Sequence, residues 1–295
     1  MRTVYLGTSE FAADVLRILA ASEHRPALVV TRPDRPRGRG RRLAAPPVAE
    51  LARELEIDVY QPESVNQAEP RARIAEATPE AVCVCAFGAL IEEPLLSRYR
   101  MLNVHPSLLP RWRGAAPIER ALIAGDELTG VSIMRVTAGL DSGPVCAQAQ
   151  EPIAPTDTYG SLAARLGQRG GELLVRALSD APPCVEQDDS TATYAEKITP
   201  ADRELDPHRP AAELERRVRA LTPHIGAHVR LGDGTWLGVR EARVVPGDRP
   251  GLWLHRRRPV LGTVEGALEL LVVQPPGRRA MAGEDYLRGR RGRGE

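Results

Sequence analysis

The sequence predicts an α/β chain in two parts: a Rossmann-like parallel sheet with crossover helices, then a small β-barrel or sandwich. Three observations point there. In the first half, short apolar runs alternate with stretches whose apolar residues have helical spacing. After Gly130 the period changes to two. In the last part, short strand-like runs are separated by glycine turns.

Taken in order, Val4-Tyr5-Leu6-Gly7 reads as a buried strand, and Phe11 to Ala20 as a helix with Val15, Leu16 and Leu19 on one face. Leu28-Val29-Val30 is a second strand, Val48 to Leu55 a second helix, and Asp58-Val59-Tyr60 a short third strand. Ala81 to Phe87 is a long apolar strand, and Met101 to His105 follows a short helix. Strands separated by helices imply parallel pairing through right-handed crossovers. Residues 131–136 and 145–149 then read as two strands joined across Thr137–Pro144. Leu162, Leu166, Leu173, Leu174 and Leu178 mark a long amphipathic helix over Thr158 to Leu178.

Pro182-Pro183 stops that helix, and the polar stretch beyond it suggests a boundary. The expected division is 1–186, a linker at 187–205, and a C-terminal domain at 206–295. That last part offers a helix over Ala211 to Leu221 and strands at 227–231, 235–239, 260–264 and 267–273. Gly232-Asp233-Gly234 and Glu265-Gly266 supply its turns.

With 295 residues, 42% of them hydrophobic, the chain is long enough for about two cores. No apolar run approaches the ~18 residues of a membrane span, and Met1–Tyr5 enters a strand-like segment without a signal-like apolar stretch. A cytoplasmic protein with no membrane attachment is expected. Four cysteines (Cys83, Cys85, Cys146, Cys184) suit neither a disulfide framework nor a zinc knuckle, so reduced thiols are expected. Net charge is +1, yet Asp206 to Glu295 holds 17 arginines against 11 carboxylates, a balance of +6. That excess suits a polyanionic partner, and equally a solvated surface.

Several nucleotide and metal patterns fail. Gly7-Thr8-Ser9-Glu10-Phe11 has one glycine where a dinucleotide loop needs three, and Gly38-Arg39-Gly40 has no helix behind it. His224 and His228 lie four apart, but Gly226 and nearby strand signals oppose a helix, so they read as surface loop histidines. No metal is implied.

Residues two apart on a strand share a face, so Asn103 and His105 point one way while Leu102 and Val104 point the other. Pro106 cannot continue the ladder, which puts His105 at the carboxyl end of its strand, where open α/β sheets bind ligands. Taken alone, Asn-x-His also describes a satisfied polar pair. The six arginines Arg32, Arg35, Arg37, Arg39, Arg41 and Arg42 form a loop with no apolar residue between Arg35 and Arg42. Such a loop cannot bury itself and suits phosphate or base-edge contact.

The run His105-Pro106-Ser107-Leu108-Leu109-Pro110-Arg111-Trp112-Arg113-Gly114-Ala115-Ala116-Pro117-Ile118 resembles the signature of formyltetrahydrofolate-dependent formyltransferases. Gly139-Leu140-Asp141-Ser142-Gly143 resembles that family's second signature. Arg111–Pro117, Gly7–Ala12, Pro33–Gly40, Tyr194–Lys197 and Gln274–Met281 are especially similar to the methionyl-tRNA formyltransferases within it. The pattern departs at Thr222–Gly226, where the family often has aromatic residues, and arginine stands at 41 and 279 where lysine is common.

The resemblance implies a formyltransferase domain of Rossmann type followed by a small OB-like C-terminal β-barrel that binds tRNA. It implies formyl transfer from 10-formyltetrahydrofolate to the amino group of methionine on charged initiator tRNA, by a monomer without metal. The implied catalytic residues are Asn103, His105 and Asp141; Ser107, Leu108, Leu109 and Pro110 are implied to line the folate site. The Arg37, Arg39, Arg41 and Arg42 loop and Lys197, the chain's one lysine, are implied to meet tRNA. In chemical terms, Asn103 and protonated His105 can donate to the oxyanion of a tetrahedral intermediate, with Asp141 favouring the imidazolium or taking the amine proton. Relatives that formylate an amino sugar or glycinamide ribonucleotide, or that hydrolyse formyltetrahydrofolate, share the trio. They have no evident need of both an arginine loop and a basic barrel.

Overall fold

The computed structural model describes residues 1–37, 42–247, 251–255 and 258–291. The chain divides into two compact units, each assembled from three segments. The first comprises Met1–Gly114, Leu128–Pro152 and Ala163–Tyr194; the second comprises Ala115–Glu127, Ile153–Leu162 and Ala195–Glu295.

The first unit is built on a seven-stranded sheet in the order Val145–Pro152, Leu128–Arg135, Met101–His105, Ala81–Cys85, Thr3–Gly7, Pro26–Val30, Val59–Tyr60. The last five pair in parallel, as the strand and helix alternation predicts. Leu128–Arg135 and Val145–Pro152 add an antiparallel edge. Central strands read as unbroken apolar runs because both faces are covered. Val4, Tyr5 and Leu6 are fully buried, and so is Tyr5's hydroxyl, which donates to the Ala12 carbonyl at 2.6 Å. Helix Glu10–Ala20 starts where Ser9 Oγ accepts from Ala12 N, a cap worth about 1 kcal/mol. It buries Phe11, Val15, Leu16 and Leu19.

Three helices, Ala68–Glu76, Pro117–Ala124 and Gly283–Arg291, join the expected elements; the first buries only Pro70 and Ile74, too thin a stripe to read from sequence. Helix Tyr159–Asp180 lies close to its expected bounds. Glu151, buried on the edge strand, accepts from Arg165 Nε at 2.8 Å and Arg169 Nε at 2.7 Å of that helix. No helix among the described residues is long and apolar enough to cross a membrane.

The expectation of four free thiols is corrected for two of them. Cys146 and Cys184 form a disulfide, while Cys83 and Cys85 are free and fully buried in the central strand Ala81–Cys85. The pairing follows from an antiparallel bridge between Val145 and Val185, closed by hydrogen bonds of 2.8 and 2.9 Å, which lays the two cysteines side by side. A separation of 38 residues left no trace of this in the spacing.

The second unit holds a six-stranded antiparallel half-barrel sheet, the form taken by the expected small barrel. Its path runs Ala227–Arg230, Trp236–Val245, Ala267–Gln274, Arg258–Gly262, Gly251–His255, with Met281–Ala282 paired to Ala267–Gln274. Helix Ala211–Leu221 covers it with Leu214, Val218 and Leu221, in one cluster with Leu237, Val239 and Leu268. Helix Pro117–Ala124 packs against Ala211–Leu221, begun by a proline at its first turn and ended by Gly125 at φ +79°. Arg120 on that helix grips Asp202 with two bonds, 2.9 and 3.1 Å, and donates to the carbonyls of Glu196 and Lys197.

Candidate active site

Strand Met101–His105 ends where the sequence predicts, and alternation sorts its side chains as expected. Leu102 and Val104 are buried, with Val104 packed where helix Tyr159–Asp180 has Gly170. Asn103, half-buried, and His105, 4% exposed, point together toward Asp141. Asn103 Nδ2 lies 3.5 Å from Asp141 Oδ1, and His105 Nδ1 lies 3.7 Å from Oδ2. All three residues of the implied trio therefore meet, at separations longer than closed hydrogen bonds.

His105 and Asp141 are each aimed by a backbone group of another residue. His105 Nε2 donates to the Trp112 carbonyl at 2.8 Å, since a carbonyl only accepts, which leaves Nδ1 as the nitrogen facing the carboxylate. Trp112 sits at φ +62° and is pinned by its own N–H to Thr193 Oγ1 at 2.9 Å. Gly114 N–H donates to Asp141 Oδ2 at 2.9 Å. Asp141 adopts the left-handed region at φ +46°, which short polar residues tolerate best. Its loop ends at Gly143, where a Cβ would fall 2.0 Å from the Arg135 carbonyl, so only glycine fits.

Two further residues reach this loop, one from the first signature and one from the start of the expected linker. Gln187 Nε2 donates to the carbonyls of Asp141 at 2.9 Å and Gly143 at 2.7 Å. Its Oε1 accepts from Arg113 Nε at 2.9 Å, and Arg113, 3% exposed, also pairs with Asp189 at 2.7 Å. Gln187 stands 46 residues from Asp141 in sequence, beyond any local pattern.

Ser107–Pro110 leaves the same strand end. Ser107 is fully buried and donates to the Arg111 carbonyl at 2.6 Å; Leu109 is 5% exposed. Ser132 Oγ takes the Leu109 N–H at 3.0 Å and donates to the Ser107 carbonyl, while Gln148 Nε2 donates to the Leu109 carbonyl at 2.8 Å. These polar groups are spent inside the protein. Leu108, against Gly130, and Pro110 remain half-buried and are the apolar surface this stretch offers.

Arg35–Arg37 and Arg42–Ala44 pair as a short antiparallel hairpin with Arg37 opposite Arg42. Arg39 and Arg41 lie outside the described residues. Lys197 is exposed, in the second unit. His224 lies at the surface as expected but is partnered: it stacks on Tyr159 with centroids 3.7 Å apart and meets Glu119 at 3.0 Å. The expectation of a surface loop histidine is corrected for His228, which lies half-buried on strand Ala227–Arg230 and packs edge-on against Trp236. Among the described residues, no group of histidine, cysteine and carboxylate side chains is arranged to hold a metal ion.

A family model described as formyl transferase matches residues 1–178, and one described as formyl transferase, C-terminal domain, matches 197–291. A methionyl-tRNA formyltransferase of Methylococcus capsulatus is 43% identical, over 97% of this chain and 96% of its own. One of Halorhodospira halophila is 44% identical over 98% and 96%. Among solved structures, HypX from Aquifex aeolicus in complex with tetrahydrofolic acid superposes with a TM-score of 0.65 at 17% identity, over 97% of this chain. The chain spans about half of HypX, 47% of its length. A methionyl-tRNA formyltransferase from Clostridium thermocellum superposes at 0.59 with 14% identity, over 84% of this chain and 95% of its own. Both structural likenesses concern the fold.

Proposed function

The chain belongs to the formyl transferase family, and from that membership we infer that it is a methionyl-tRNA formyltransferase acting by direct transfer on Asn103, His105 and Asp141. It moves the formyl group of 10-formyltetrahydrofolate to the amino group of methionine on charged initiator tRNA. The observation that carries the mechanism is the convergence of Asn103 Nδ2 and His105 Nδ1 on one carboxylate at 3.5 and 3.7 Å.

The methionyl amine attacks the formyl carbon, and negative charge gathers on the formyl oxygen. Asn103 donates a neutral hydrogen bond to it, and His105, as imidazolium, a charge-assisted one from Nδ1. Asp141 takes the proton the amine must lose, directly or through water. As the intermediate collapses, the bond from the formyl carbon to N10 of the folate breaks, that proton passes to N10, and tetrahydrofolate leaves. The carboxylate keeps its place meanwhile because Gly114 N–H holds Oδ2. No covalent acyl-enzyme enters this scheme. Ser107 is bonded inward and Cys146 is in a disulfide.

Leu108 and Pro110, with Ser107 and Leu109 behind them, would form the apolar wall for the pterin of the co-substrate. The functional division runs 1–186 for catalysis, 187–205 as linker and 206–295 for tRNA. Arg37, Arg39, Arg41, Arg42 and Lys197 meet the tRNA, Arg39 and Arg41 from outside the described residues. The enzyme works as a monomer in the cytoplasm, where initiator tRNA is charged. The deciding assay supplies 10-formyltetrahydrofolate with charged initiator tRNA, and with uncharged tRNA as control. Formylmethionine on the charged tRNA alone supports the assignment, and its absence with folded protein overturns it.

A further inference from the structure

Gln187 takes no step in the chemistry above and lies in neither signature, yet it holds the loop that carries Asp141 at two carbonyls. Its two amide hydrogens go to the carbonyls of Asp141 and Gly143, at 2.9 and 2.7 Å. Its oxygen receives Arg113 Nε at 2.9 Å. Two acceptors on one side and a cationic donor on the other allow the amide only one orientation. A carboxylate of the same size would face two carbonyls with no hydrogen to give them.

The platform behind Gln187 is fixed. Val185, two residues earlier, is bridged to Val145 by paired backbone hydrogen bonds, and Cys184 is covalently tied to Cys146. Arg113, almost fully buried, is held by Asp189 on its far side, and the next residue, Gly114, supplies the N–H on Asp141 Oδ2. The catalytic carboxylate is thus gripped at its side chain by Gly114 and at its main chain by Gln187, and Arg113 links the two grips. The loop itself cannot supply this rigidity, because Asp141 sits at φ +46° in a stretch between glycines.

We propose that Gln187 is a positioning residue for formyl transfer, which sets the place of Asp141 opposite Asn103 and His105. The inference rests on the proposed role of Asp141. A displaced carboxylate would alter the chemical step and leave substrate binding largely intact, since Gln187 reaches neither the Ser107–Pro110 wall nor the arginine loop through any bond described above.

The experiment uses the full-length protein with 10-formyltetrahydrofolate and charged initiator tRNA, and compares Gln187→Glu, Gln187→Met and Asp141→Ala. Both Gln187 variants are expected to lose about 10- to 100-fold in kcat, with KM for each substrate within about threefold. Gln187→Glu carries a further signature. Protonation restores one O–H donor at residue 187, so its kcat relative to the parent protein should rise as pH falls through the glutamate range, from about 6 to 4. Gln187→Met should show no such rise. If folded Gln187→Glu and Gln187→Met both keep kcat within about twofold while Asp141→Ala is crippled, Gln187 has no positioning role and the catalytic assignment stands. A loss confined to KM also overturns the proposal. Near-normal turnover by Asp141→Ala removes the catalytic assignment, and the proposal with it.

Discussion

Asp202 and Asp141 each lie beside a nitrogenous side chain, one in each unit, and they are built to opposite tolerances. Asp202 is closed on every side: two bonds from Arg120 at 2.9 and 3.1 Å, and two from Thr199 at 2.8 and 2.9 Å. Burial pushes its carboxyl up, but Arg120 and Thr199 outweigh that and hold it at about 2. Asp141 has one closed contact on its carboxylate, the Gly114 N–H, and faces Asn103 and His105 across gaps of 3.5 and 3.7 Å. A carboxylate that has spent its lone pairs stabilises a fold and has nothing left for a substrate. One held in place from behind, with its front left open, stands ready for a reacting atom.

The contrast is sharpest in turnover. His105→Ala or Asp141→Ala should lower formylation by at least ~10²-fold in steady-state assays while thermal unfolding changes little. A well-folded Asp141→Ala protein with near-normal turnover would erase the distinction between the two carboxylates. Next comes the arginine loop. Replacing Arg37, Arg39, Arg41 and Arg42 with alanine should cut activity on tRNA by roughly tenfold or more and flatten its dependence on salt. Folate binding should survive, and stability should stay within roughly ±0.5 kcal/mol per site. Unchanged formylation would reduce the loop to a solvated insertion.

Asp202→Asn tests the closed carboxylate from the other direction. It should lower unfolding free energy by about 1–2 kcal/mol, read from urea titration, with turnover per folded molecule retained. Because the folded carboxyl titrates at about 2 against the ordinary 3.8, its stabilisation is complete above pH ~4 and is lost as pH falls toward ~2. The asparagine variant should lack that part of the acid limb. The smallest effect falls on Lys197. Lys197→Ala should weaken tRNA binding by only a few-fold, about one phosphate contact, yet abolish side-chain crosslinking to periodate-oxidised tRNA. Persisting crosslinks at other positions would detach Lys197 from the tRNA.

Half of the catalytic edge was legible because strand geometry is local. A period of two and a proline after His105 suffice to put Asn103 and His105 on one face at a strand end. Asp141 lies 38 residues from Asn103 and entered only through its Gly-flanked signature. Gln187 and Arg113 could not be read that way. Their bonds join segments 44 to 76 residues apart, and each residue looks like ordinary polar sequence. The same distance hid the Cys146–Cys184 pair. In the second unit, the glycine turns revealed four strands, but Gly251–His255, although Pro246-Gly247-Asp248 precedes it, has an apolar run of only Leu252-Trp253-Leu254 before the arginines and does not read as a strand. The parallel core was readable because strands buried on both faces leave unbroken apolar runs. The antiparallel edge gave only its alternation.

The sulfur atoms divide by depth, and that division doubles as a folding assay. Cys83 and Cys85 are sealed in the central sheet, and burial pushes both thiols up to about 12. A thiolate-seeking alkylating reagent therefore finds no target in them while the sheet is intact. The other two sulfurs are occupied by each other. Mass spectrometry of alkylated protein should register no adducts on the native chain, two after mild reduction, and four only once the sheet opens, so a count of adducts reports separately on the edge strand and on the centre of the molecule.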